Sequence, residues 1–278
     1  MPAERIAESL AFINWTILGG LAVGTLGAAV AGRLLTEATR GYLVFIALCA
    51  AAFGALAALS DGALPALPNP ATSAADPAWE GARRLTLAAL PIVAVAEAYA
   101  AARARRSLVV AALGLGCGIA VIATAALSWG GAPAASLLLA IQLTALSAAL
   151  GGVWAAMVLG HWYLVTPRLP EAPLVRFARW LTAILALQVG LFAAWTAFGA
   201  GPAGHPGFAA LTGEWALFVW LRLLVGLVFP LIVSWAAIQT ARSRSMESAT
   251  GLLYINVGTI AAGTIVAAGL YFGAGLLV

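Results

Sequence analysis

The chain has 278 residues, 63% of them hydrophobic and 9% charged, with a formal net charge of +4 and a mean hydropathy of +1.02. Soluble domains sit near one half apolar and one quarter charged. This composition therefore excludes a soluble globular fold, a disordered chain, a nucleic-acid module and a disulfide-stapled secreted domain, and leaves an all-α polytopic membrane protein in contact with the lipid bilayer.

Eight apolar runs follow in chain order, at about 10–32, 41–59, 85–102, 107–129, 134–161, 174–198, 215–241 and 249–276. Each is near the roughly 20 residues that a helix needs to cross the hydrocarbon core. The first run follows Glu4-Arg5-Ile6-Ala7-Glu8, which lacks the positive excess of a signal peptide. Although Ala29-Val30-Ala31 has the small residues of a cleavage site, the run reads as a retained span. The connection 60–84 holds Pro65, Pro68, Pro70 and Pro77 and reads as a loop. Only 199–214 is comparably long, so 1–278 reads as a single membrane domain.

Span three runs from Arg84-Leu85 through Pro91 to Arg103-Ala104-Arg105. Span seven runs from Arg222-Leu223 through Pro230 to Arg242-Ser243-Arg244. Leu18-Gly19-Gly20 in span one matches Leu150-Gly151-Gly152 in span five. These parallels predict eight transmembrane helices arranged as two four-helix repeats, 1–130 and 131–278, parallel because an even number of spans preserves direction. Every basic side chain is Arg. Ten (Arg33, Arg40, Arg103, Arg105, Arg106, Arg168, Arg176, Arg179, Arg242 and Arg244) follow odd-numbered spans, against Arg5, Arg83, Arg84 and Arg222 on or near the other side. The positive-inside rule then predicts a multi-pass protein of the cell inner membrane with both termini outside.

Residues able to carry chemistry are few. His161, His205, Cys49 and Cys117 stand apart, without the spacing of a metal site. His205 falls in the outer 199–214 loop and His161 at the inner end of span five, so topology forbids a bis-histidine haem within one subunit. A single-His haem, completed by a methionine or shared between subunits, stays open. His161 opens His161-Trp162-Tyr163 and shares a helix stripe with Ser147, Gly151, Trp154 and Val158. It reads either as part of an interfacial aromatic belt or as a proton-exchanging or quinone-contacting imidazole.

Glu97 is the one acid within a span, and its own helix offers it no partner. It must reach solvent, pair across helices or be protonated. Arg222, about two turns into span seven, either snorkels outward or lines a site for an anionic or carbonyl-bearing ligand. Asn14, Gln142, Gln188, Gln239 and Asn256 read as interhelical hydrogen bonds.

Residues 12–32 carry Trp15 followed by Leu18-Gly19-Gly20-Leu21-Ala22 and Gly24. This segment resembles the first span of NrfD-type membrane subunits of polysulfide-reductase-like complexes. The resemblance implies an eight-helix form with two four-helix bundles, a bound quinone, and docking of an iron–sulfur or other electron-transfer subunit. The leading expectation is thus an integral membrane subunit of a respiratory or redox complex with protein partner subunits. Its candidate quinone contacts are Trp154, His161, Trp162, Tyr163 and Arg222. Glu97 and His161 form a candidate proton relay in a cytoplasm-facing cavity between the repeats. A small-molecule transporter and a non-catalytic scaffold or assembly factor are the competing readings.

Overall fold

The computed structural model describes residues 1–67, 75–166, 168–204 and 206–278. Eight of its helices are long and apolar enough to cross a membrane, and no strand occurs among the described residues. A short helix α1 (Pro2–Glu8), which apolarity alone does not reveal, precedes α2 (Leu10–Leu35) and α3 (Arg40–Gly62). Then come α4 (Glu80–Ala102), α5 (Leu108–Trp129), α6 (Pro133–Val165) and α7 (Ala172–Phe198). The seventh span is composite: α8 (Ala216–Leu223), a π-helical turn (Leu224–Val228) and α9 (Phe229–Arg242). The last is α10 (Met246–Ala274). Pro68, Pro70, Pro167 and His205 lie outside the described residues.

The ends of these helices follow local chemistry. Pro133 sits in the first turn of α6, where its missing N–H costs nothing. Ser107 caps α5 by accepting the N–H of Val110, as a small hydroxyl does at an N-terminus. Gly199 and Gly275 close α7 and α10 in the left-handed region, which glycine enters without strain. The two turns after α4 and α9 are built alike. Ala104 and Arg244 take positive φ, and the next N–H, of Arg105 or Ser245, reaches back to Ala100 or Thr240. Beyond Gly275 the chain folds inward, with Leu277 N–H donating to the Ala200 carbonyl and Leu276, Leu277 and Val278 all buried.

In the first half α2, α3, α4 and α5 pack in a ring, each against the next and α5 back on α2. In the second half α6, α7, α9 and α10 do the same. The halves meet chiefly along α2 and α6. There a Cβ on Gly151 would lie 1.9 Å from the Gly24 carbonyl carbon, so the two backbones touch. Small residues permit this approach, which supplies dispersion contact where no water drives association. At the end of the bundle where α2 begins and α5 ends, Phe12, Trp15, Trp129 and Phe272 form edge-on and tilted ring contacts. The Tyr271 hydroxyl donates to the Trp129 carbonyl at 2.8 Å, which ties α10 to the first half.

Candidate functional site

The crossing of α2 and α6 leaves a cleft beside it. Glycine and alanine on both helices (Gly27, Ala28, Ala148 and Gly152) fill little space, and α5 and α7 wall the gap with Gly118, Ile122, Phe177 and Trp180. The cleft measures about 380 Å³, within the range of small-ligand pockets. Besides the indole N–H of Trp180, its polar side chains among the described residues are Thr144 and Ser147, and Thr144 already donates to the Ala140 carbonyl at 2.7 Å. Leu115 and Ile119 at its rim are exposed and lie mid-span, so the cleft opens sideways toward lipid. Chemically it can hold an apolar chain or ring and offer one or two hydroxyls to it. It carries no charge.

Charges are gathered elsewhere. Glu97, fully buried, accepts from Arg33 Nε at 2.5 Å and Nη2 at 2.9 Å. Arg33 Nη1 also donates to the Arg105 carbonyl at 2.8 Å. This fork-on-fork pair ties the C-terminal end of α2 to α4 and to the turn before α5, a geometry that suits guanidinium and carboxylate. Counting Arg33 among loop cations is thereby corrected: it lies inside α2 and is buried. Of the three fates open to Glu97, the structure takes pairing across helices.

The counterpart at the opposite end of the bundle is centred on Asp61, which the loop reading of 60–84 passed over. Asp61 ends α3, is buried, and accepts from Trp15 Nε1 at 2.7 Å and Arg83 Nε at 2.8 Å. Arg84 Nε stands 3.5 Å away, and the Arg83 guanidinium lies 4.6 Å from the Trp129 ring centroid, in cation–π range. Arg83, not Arg84, is thus the buried arginine of the third span, eight residues before Pro91 as Arg222 is before Pro230. One signal for Asp61 was present in the sequence: an acid in a helix's last turn opposes the macrodipole and needs a specific cation.

The six site residues expected from sequence do not converge. Glu97 is enclosed with Arg33, while His161 is exposed near the C-terminal end of α6, and no hydrogen bond joins them among the described residues. Trp154 packs edge-on against Phe53 at 5.3 Å. Trp162 packs on Tyr42 and Phe45, and the Tyr163 hydroxyl donates to the Pro170 carbonyl. Arg222 is buried in the last turn of α8. The cleft between the halves is lined by none of the six. Of the expected interhelical amides, Asn14 reaches Ser60, Gln188 the Ala145 carbonyl and Asn256 the Pro230 carbonyl. Gln142 Oε1 is buried without a partner and Gln239 is exposed. No family model and no curated protein matches the chain.

Proposed function

We propose that the chain is an integral membrane subunit of a redox complex that holds an isoprenoid quinone in the cleft between its two four-helix units. The observation that carries this reading is the cleft: some 380 Å³ at mid-span, opening sideways, apolar apart from Thr144, Ser147 and the indole N–H of Trp180. Its residues fit such a group. Phe177 and Trp180 offer faces for a flat ring, Gly27 and Gly118 leave room for a branched chain, and the Ser147 hydroxyl can donate to a carbonyl. A bound quinone would supply two-electron, two-proton chemistry, and a partner subunit would exchange the electrons. Polar substrates find few partners in such a lining, which sets the transporter reading behind. The placement proposed is the cell inner membrane, with both termini outside.

The test is extraction of detergent-purified protein with organic solvent, followed by chromatography for quinones. Protein should carry quinone well above its co-purifying lipid background. Gly27→Leu, which places a side chain in the cleft where a Cβ meets nothing within 4 Å, should lower that content at least about tenfold, the equivalent of roughly 1.4 kcal/mol. Equal, background-level content in both proteins overturns the reading. An absorption spectrum of the same preparation with a Soret band would redirect it to haem.

A further inference from the structure

The end of the bundle where α2 and α4 begin and α3 and α5 end holds a second cavity, of about 270 Å³. That is just below the roughly 300–1,000 Å³ of pockets for drug-sized ligands, so it suits a smaller molecule. Phe12, Trp129, Leu64 and Leu67 give it apolar walls. The Asp76 N–H donates to the Ser128 carbonyl at 2.9 Å, which ties the loop side of the cavity to α5. Burial orders its polar lining from the inside to the mouth. Arg83, 4% exposed, engages Asp61 through Nε and Nη2, and its Nη1 makes no hydrogen bond among the described residues. Ser128, 2% exposed, has a buried Oγ without a partner. At the mouth stand two carboxylates, those of exposed Asp76 and half-buried Glu80.

A guanidinium N–H and a hydroxyl buried without partners are costly to keep, and both can donate to one anionic group. Carboxylates at the mouth repel a ligand that is anionic throughout and favour an ammonium a few bonds away from the anion. The helices that begin or end around the cavity are long and apolar enough to cross a membrane, and the ends of such spans lie at the depth of lipid headgroups. We infer that this cavity is a site for a zwitterion of the phosphoethanolamine type, its phosphate on Arg83 and Ser128 and its ammonium between Asp76 and Glu80. Two sources share this chemistry: a bilayer lipid with that headgroup, and a soluble phosphoethanolamine ester. The cavity shares no lining residue with the mid-span cleft, so the inference stands independently of what the cleft binds.

The experiment is native mass spectrometry of the detergent-purified chain with phosphatidylethanolamine or phosphatidylglycerol of matched acyl chains. For a membrane source, the ethanolamine lipid should bind about tenfold more tightly, because only its ammonium meets the carboxylates. For a soluble source, glycerophosphoethanolamine, which has no acyl chains, should bind in lipid-free detergent while the two lipids bind alike. Ser128→Ala removes no internal contact of the hydroxyl, so its unfolding midpoint without ligand should not fall. Its affinity for whichever ethanolamine compound binds should nonetheless drop about tenfold. Asp76→Asn, which can still accept the Ala78 N–H, combined with Glu80→Gln should abolish the preference for that compound. Equal binding of the two lipids with no binding of glycerophosphoethanolamine overturns the inference. So does a preference that survives both Ser128→Ala and the double variant.

Discussion

At the scale of single residues, charge in this protein is structural before it is anything else. Arg33 grips both oxygens of Glu97, at 2.5 and 2.9 Å. Truncating one partner of such a pair leaves the other charge buried alone, at a cost of about 3–5 kcal/mol, whereas replacing both by apolar side chains is often neutral. Glu97→Ala should therefore destabilise by about that amount, and Arg33→Met with Glu97→Met should recover most of it. Unfolding curves in detergent micelles check this; a single-variant loss below about 1 kcal/mol would contradict it. Asp61→Asn should act similarly at the opposite end of the bundle. It weakens the hold on Arg83, which lies over Trp129, so tryptophan emission should shift together with stability.

Among elements, the decisive contact is that of α2 with α6. A Cβ on Gly151 would meet the Gly24 carbonyl carbon at 1.9 Å and the Thr25 nitrogen at 2.1 Å. These are backbone atoms, which no rotamer change can move aside. Gly151→Ala should force the helices apart and cost about 3 kcal/mol or more. Gly27→Ala, in open space on the same helix α2, should instead stabilise by about 0.5–1 kcal/mol through helix propensity. Parallel unfolding of the two variants separates close approach from the general effect of replacing glycine. The seventh span shows a second kind of adjustment. Pro230 cannot donate to the preceding turn, and the helix widens into a π turn over Leu224–Val228 next to the glycine that makes room for Arg222.

For the whole molecule, burial of Arg33, Arg83 and Arg222 sharpens the charge asymmetry between the two ends. The arginines left exposed are Arg40, Arg103, Arg105, Arg106, Arg168, Arg176, Arg179, Arg242 and Arg244 at one end, against Arg5 and Arg84 at the other. Loop arginines near span ends are the ones that orient a membrane protein. Reporter fusions at residues 104 and 245 should accordingly read cytoplasmic; periplasmic readings would invert the proposed orientation without changing the spans. The shared ring order of helices in the two halves also makes a parallel repeat testable by superposing α2–α5 on α6–α10, with Pro91 falling on Pro230.

The sequence by itself determined the class, the eight spans and most of their ends, because these depend on local quantities: runs of apolar residues, prolines at first turns and glycines past last turns. Leu10, Ala102, Trp129 and Phe198 end observed helices where the apolar runs begin or end. What only the tertiary structure decided was partnership. Glu97 and Arg33 are 64 positions apart, and Trp15 and Asp61 are 46 apart. Whether a charge in a span snorkels, pairs or stands alone depends on which side chain the neighbouring helix presents at that depth. Apolar patterning is nearly silent on this, since lipid and protein interior are equally apolar and a helix can turn either face to either one. The cleft was hidden for the same reason: Gly27 and Gly152 read as ordinary packing glycines until the contact of Gly24 with Gly151 fixes which way their empty sides face.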